Sequence, residues 1–271
     1  MTRQYCHVGS RTIAYLDSGP GASHLRTLLL LHAFPLGAGM WEPQMRDVPA
    51  GWRLLTPDLR GFGGTTDPDL ASPSMDDYAQ DAIDLLGELG VARAVVGGCS
   101  MGGYATFAVL RQAPDLVEGL VLADTRAGAD SPEGRANRRG MLALVDREGP
   151  SGVAREMMPK LIGATTRHQS ATIESTVRRF IKQQSPEALR GAIQRMMDRP
   201  DSMPLLEAVR VPTLIVVGEE DELTPVAEAR KMAEAIPGAR LEVIPEAGHL
   251  PNLEQPARFN AALASFLASV A

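Results

Sequence analysis

Apolar residues along this chain recur in two rhythms. Short β-like runs appear at RQYCHV, RTIAYLD, RTLLLLH, WRLLTPD, RAVVGG and EGLVLAD, most of them bounded by Gly, Pro or Asp, and they predict six strands before residue 124. The third, fifth and sixth are continuous aliphatic runs, the pattern of strands covered on both faces of a parallel sheet. Helices are therefore expected between them. Ser74 and Asp77 have the spacing of a capping box, and Met75, Tyr78, Ala82, Leu85, Leu86 and Leu89 repeat at helical spacing until Gly90. A second helix is expected from Met101 through Ala105, Ala108 and Val109, ending before Pro114.

From Thr125 to about Leu206 the pattern is helical, rich in Arg and Met, without a convincing strand. Strand signals resume at TLIVVG and RLEVIP, separated by a helical stretch from Pro225 to Ile236. A last helix is expected to put Phe259, Leu263, Phe266 and Val270 on one face. The reading is an α/β core from 1–124 and 207–271 with eight strands, interrupted by a helical cap over 125–206. No internal repeat or low-complexity linker stands out.

Composition narrows the classes. Of 271 residues, 44% are hydrophobic and 22% charged, which fits an ordinary globule with a sizeable core. The 27 Lys and Arg residues are scattered and outnumbered by 33 Asp and Glu, leaving a net charge of −6 and no footprint for a polyanion such as nucleic acid. Cys6 and Cys99 are the whole thiol complement, so a disulfide framework and a zinc-site spacing are both ruled out, and no metal is expected. The start MTRQYCHVGS has no signal-peptide pattern and no apolar run approaches a membrane span, so the expected location is the cytoplasm.

Chemistry concentrates at Gly98-Cys99-Ser100-Met101-Gly102, a G-x-S-x-G pattern with a strand before it and a helix after it. A serine on a sharp strand-to-helix turn projects above the sheet edge, and glycines two residues either side let neighbouring backbone pass. The helix that starts there aims free N–H groups at charge developing beside the serine. The bland reading, a Gly-rich turn in which Ser100 only caps a helix, loses ground once the strand and helix are counted with the motif.

A serine hydroxyl needs a base. His249, in Glu246-Ala247-Gly248-His249-Leu250-Pro251 just after the last strand, is placed to supply one; His7, His24 and His168 sit in no motif. Asp221, in the acidic loop Gly218 to Pro225 after the seventh strand, is the candidate partner for that histidine. Asp124, which ends the sixth strand, is its competitor, and Glu219, Glu220 and Glu222 read as a solvated charge run. The chain order Ser100, Asp221, His249 is nucleophile, acid, base.

With these motifs in hand the chain resembles an α/β-hydrolase-fold serine hydrolase over nearly its whole length. LLLLHAFP is similar to the family's HGxP oxyanion loop and PDLRGFGGT to its D-x-x-G-x-G segment. The resemblance implies a mostly parallel eight-stranded sheet with helices on both faces, no cofactor, oxyanion N–H groups from Phe34 and Met101, and a shaping role for His32. Two departures stand out: Ala33 occupies a position where glycine is usual and resists positive φ, and Cys99 precedes the nucleophile, where a buried hydrophobe is the expected role for a thiol. GFGGTT lacks the G-x-G-x-x-G spacing and precedes no clear helix, so a tight loop explains it better than a dinucleotide site.

The pattern is similar to small carboxylesterases and to lactone-opening members, including 3-oxoadipate enol-lactonase-like and N-acyl-homoserine-lactone-hydrolysing enzymes. An ester or lactone as small-molecule substrate is the implied partner. A cofactor-free haloperoxidase-like perhydrolase shares the same triad, and a ligand receptor on the same fold stays open as a reading of another class. Trp41, Tyr104 and Met157 are the expected substrate contacts, with Met40, Met101, Met141, Met158, Met196 and Met197 nearby, which favours an uncharged acyl chain or ring.

Overall fold

The computed structural model describes residues 2–21, 25–66 and 73–270. Eight strands form one sheet: β1 (Gln4–Val8), β2 (Arg11–Asp17), β3 (Arg26–Leu31), β4 (Trp52–Pro57), β5 (Ala94–Cys99), β6 (Val117–Ala123), β7 (Thr213–Gly218) and β8 (Arg240–Ile244). Their spatial order is β1-β2-β4-β3-β5-β6-β7-β8. β2 runs antiparallel to β1 and β4, and every other pairing is parallel. This is the α/β-hydrolase architecture, and each predicted strand lands within a residue or so of its observed bounds.

The aliphatic runs explain the layering. β4, β5 and β7 are buried at every residue, as strands with both faces covered must be, whereas the edge strand β1 alternates between half-buried and exposed positions. The helices are α1 (Glu42–Met45), α2 (Met75–Glu88), α3 (Met101–Gln112), α4 (Pro132–Leu161), α5 (Ala164–Gln169), α6 (Ala171–Lys182), α7 (Pro186–Met197), α8 (Met203–Leu206), α9 (Val226–Ala235), α10 (Pro251–Glu254) and α11 (Pro256–Leu267). The Ser74 capping box is formed in both directions: Asp76 N donates to Ser74 Oγ at 3.1 Å and Ser74 N to Asp77 Oδ2 at 2.9 Å. α2 then buries Met75, Tyr78, Ala82, Leu85 and Leu86, and α3 packs against α2 and the parallel centre of the sheet.

Between β6 and β7 the backbone is helical from α4 to α8. α4 is two helices meeting at Gly149, whose φ of 59° breaks the first and lets Pro150 begin the second. Two sequence expectations are modified here. The last helix stops at Leu267, so Val270 is buried from the tail that follows rather than from the helix face. Glu220 is not simply solvated: its carboxylate accepts from Thr165 N at 2.9 Å, tying the loop after β7 to α5. GFGGTT folds as a tight loop, with Gly61 N donating to Thr65 O at 3.2 Å and the Thr65 hydroxyl to Asp58 O at 2.6 Å. Among the described residues no helix is long and apolar enough to cross a membrane.

Candidate active site

Ser100 is the single residue between the end of β5 and the start of α3, with φ 53° and ψ −109°. For a residue with a Cβ such a backbone costs on the order of 1 kcal/mol or more, so the surroundings must hold it. Ser100 N donates to Ala123 O at 2.9 Å, and its carbonyl accepts from Gly103 N at 2.9 Å, Tyr104 N at 3.2 Å and the buried Thr125 hydroxyl at 2.9 Å. The flanking glycines are demanded by approach distance. A Cβ on Gly98 would lie 2.3 Å from the Gly102 carbonyl carbon, and one on Gly102 would lie 2.1 Å from Leu31 O. β5, α3 and β3 converge so closely that only hydrogen fits.

His249 is buried, and its Nδ1 lies 2.8 Å from Asp221 Oδ2. That carboxylate is saturated with donors: Thr224 Oγ1 reaches Oδ2 at 2.6 Å, while Leu223 N and Thr224 N reach Oδ1 at 2.8 and 3.1 Å. Burial by itself would raise the Asp221 pKa; the His249 imidazole and the Thr224 bonds outweigh it and hold the carboxyl well below the usual range. An ionised Asp221 selects the Nδ1–H tautomer of His249, which leaves Nε2 with a free lone pair. Ser100 and His249 line the same cavity, of about 710 Å³, so that lone pair and the serine hydroxyl share one space.

The histidine loop is held by a residue that the sequence reading did not single out. Glu254, buried on α10, accepts from Gly248 N at 3.0 Å and Leu250 N at 3.1 Å with one oxygen, and from Gly163 N at 2.7 Å with the other. An acid four residues beyond Leu250, closing a short Pro-initiated helix, is the signal that was available. Cys99 is buried and its Sγ lies 3.6 Å from His249 O. Burial first, then the neighbouring carboxyl groups of Asp124, Asp221 and Glu254, push its thiol well above the ordinary value, so it behaves as a small hydrophobe.

Asp124 lies behind the pair. Its φ is 42°, Oδ1 accepts from Gly218 N at 2.8 Å, and the buried Oδ2 has no donor aimed at it. Burial, and next the neighbouring Asp221 charge, raise its pKa well above the ordinary carboxylate value and favour its protonated form. Among the described residues, Asp124, Asp221 and His249 bring one potential ligand atom each within 4.8 Å of one another. Of these, His249 Nδ1 and Asp221 Oδ2 are already joined by a hydrogen bond at 2.8 Å.

Phe34, after β3, lines the cavity with Ser100, and Met101 is the first residue of α3, so its N–H belongs to the turn that has no intrahelical acceptor. The strain expected at Ala33 does not arise: among the described residues the non-glycines with positive φ are Ser100, Asp124 and Glu246. Ala33 is instead braced by its N–H on Met40 Sδ at 3.1 Å. His32 is wholly buried; Nε2 accepts from Leu59 N at 3.0 Å and Nδ1 donates to Ala33 O at 3.0 Å. Burial lowers its pKa, so it is a neutral brace between two loops.

The substrate contacts divide. Tyr104 and Met157 line the cavity, as do Met141 and Met196. Trp41 does not. It is fully buried and its ring packs on Phe259 at 5.9 Å, so this expected contact is a core residue, because the turn that precedes α1 points the indole inward. Met40, Met101 and Met158 are likewise buried core. Besides the methionines that favour an uncharged acyl chain or ring, Arg126, Asp130, Glu133 and Arg138 face the same cavity, so its lining is mixed. His7 and His168 are exposed and apart from it, and His24 lies outside the described residues.

The chain belongs to the alpha/beta hydrolase family, whose model matches residues 28–262. A thermophilic esterase from Thermogutta terrifontis, solved with malate bound, superposes with a TM-score of 0.92 at 39% identity, covering 100% of this chain and 99% of its own. The enol-lactonase from Burkholderia xenovorans LB400 superposes with a TM-score of 0.89 at 25% identity, over 98% of this chain and 100% of its own. A pimeloyl-(acyl-carrier protein) methyl ester esterase of Aromatoleum aromaticum is 29% identical over 84% of this chain and 93% of its own length. Carboxylic ester and lactone hydrolases are thus among its relatives.

Proposed function

We propose that the protein hydrolyses carboxylic esters or lactones through an acyl-enzyme on Ser100. The observation that carries this reading is the positive-φ serine opening into the cavity that also holds His249, with Nδ1 of that histidine on an ionised Asp221. Esterases and an enol-lactonase among the relatives support the same class.

In the reaction so read, His249 Nε2 takes the Ser100 proton as Oγ bonds to the substrate carbonyl carbon. The tetrahedral oxyanion is received by the N–H groups of Phe34 and Met101, with the N-terminal end of α3 behind it. Collapse breaks the carbonyl carbon to alkoxy oxygen bond, and the leaving oxygen takes the proton from His249; a lactone leaves the hydroxyl on the same molecule. Water then attacks the acyl-enzyme, giving its proton to Nε2, and Ser100 leaves with that proton as the acid is released. Asp221 holds the tautomer and stabilises the imidazolium without taking a proton itself.

The test is intact-mass labelling by a fluorophosphonate in wild type and Ser100→Ala, followed by a panel of p-nitrophenyl esters and lactones on the same preparations. A single adduct lost in the variant, with turnover reduced by about 10⁶, is expected. Folded wild type that neither labels nor turns over any panel member would sink the reading.

A further inference from the structure

At one wall of the cavity three guanidiniums share a single buried carboxylate, Asp130, and Glu133, on the same lining, pairs with none of them. Asp130, whose side chain is fully buried, is the shared acceptor of three guanidiniums. Arg126 reaches Oδ1 at 2.7 Å, Arg199 reaches Oδ1 at 2.8 Å and Arg138 reaches Oδ2 at 2.9 Å. Arg199 is otherwise committed, with bonds to Met196 O at 2.7 Å and Gly128 O at 2.9 Å and its guanidinium 4.0 Å over the Tyr104 ring. Arg126 and Arg138 face the cavity with Ser100 and Tyr104. Arg126 gives one terminal nitrogen to Asp130 and lies against the Tyr104 side chain, and its buried Nε has no partner.

Three cations share this one carboxylate; Arg199 is buried, while the Arg126 and Arg138 side chains are 30% and 21% exposed, so a further anion on the open side would offset their mutual repulsion. Asp130 has no oxygen left to offer. At the mouth Glu156 is taken by Lys160, at 3.4 Å, and so does not serve the cluster. A planar guanidinium with free N–H donors matches a carboxylate by paired, charge-assisted hydrogen bonds. A cavity of about 710 Å³ admits a small acid with room for a scissile ester beside Ser100.

We propose that the substrate carries a free carboxylate in addition to its ester or lactone bond, and that Arg126, seated with Arg138 on Asp130, is the residue that recognises it. This specificity rests on the reading of Ser100 as nucleophile, so the experiment separates the two. Mono-4-nitrophenyl adipate and 4-nitrophenyl hexanoate differ in chain terminus by a carboxylate, and rates with Ser100→Ala provide the background. Wild type is expected to favour the adipate monoester at least about tenfold in kcat/KM, chiefly through KM, with the preference shrinking as salt rises. Arg126→Gln is expected to lower that ratio at least about tenfold and Arg126→Lys to restore part of it. Calorimetric binding of adipate itself, weakened at least about tenfold in Arg126→Gln, reads the carboxylate site without any turnover.

A wild-type ratio near one, or a ratio unmoved in Arg126→Gln while both substrates slow together, would overturn the proposal and leave the cluster as a staple between core and cap. Hydrolysis of neither ester above the Ser100→Ala background would overturn the acyl-enzyme reading, and adipate binding would still decide Arg126 on its own.

Discussion

Asp221 and His249 are 28 residues apart in the chain, with all of α9 and β8 between them, and meet at 2.8 Å through Oδ2 and Nδ1. The contact works because loops at the carboxyl ends of neighbouring parallel strands, β7 and β8, emerge on one edge of the sheet. Ser100, from the end of β5, comes to that same edge.

Asp221→Asn keeps the shape and removes the charge that selects the His249 tautomer. A loss of about 10⁴ in kcat with little change in unfolding temperature is expected, measured on the best ester of the panel. Residual activity far above that level would assign the acid's work to Asp124, which lies within reach behind it.

Asp124 predicts a stability effect of definite sign. Its pKa is raised in the folded protein, so above the ordinary carboxylate pKa the unfolded chain sheds a proton that the folded protein retains, and stability is lost as pH rises. Asp124→Asn keeps an acceptor for Gly218 N and removes that penalty. Its advantage over wild type is expected to grow from near zero at pH 4 by on the order of 1 kcal/mol per pH unit until Asp124 ionises. Urea unfolding of both proteins from pH 4 to 8 tests it; an advantage that grows toward low pH contradicts a protonated Asp124.

Glu254→Ala strips the acceptor from three buried N–H groups in two loops. A destabilisation of about 3 kcal/mol is expected, with a fall in kcat larger than in KM, because the Gly248–Leu250 backbone that carries His249 loses its anchor. Glu254→Gln, which can still accept through one oxygen, should fall between the two. Equal kcat in all three proteins would deny Glu254 any hold on the histidine.

The two thiols should differ in reactivity. Cys6 is half-buried on the edge strand, whereas Cys99 is sealed beneath His249 with a strongly raised pKa. Titration with a disulfide reagent is expected to find one reactive thiol in native protein and two after denaturation. Rapid modification of native Cys99 would mean that the elbow opens readily.

Much of this architecture was legible along the chain because the relevant constraints are local. A strand buried on both faces must be aliphatic throughout, as LLLL and VVG are, and a capping box spans three residues. The elbow is local too, since its glycines answer backbone that passes 2.1 to 2.3 Å from where a Cβ would be. These requirements leave a mark at fixed spacing, so the strands, α2, α3 and the Ser100 turn could be read directly, together with the chain order of the acid and histidine motifs.

Tertiary structure decided the rest, through groups whose meaning depends on what they face. Asp124 and Asp221 are equivalent as letters; burial and the neighbouring Asp221 charge raise the pKa of the first, while His249 and Thr224 lower that of the second. Trp41 read as a contact beside the nucleophile and is core. Arg126, Asp130, Arg138 and Arg199 share no motif, since Coulomb attraction and desolvation act across elements without imposing a spacing along the chain. Periodicity and backbone clearance are properties of the sequence by itself, whereas the partner of a buried charge exists only once the helices between β6 and β7 have closed over the sheet edge.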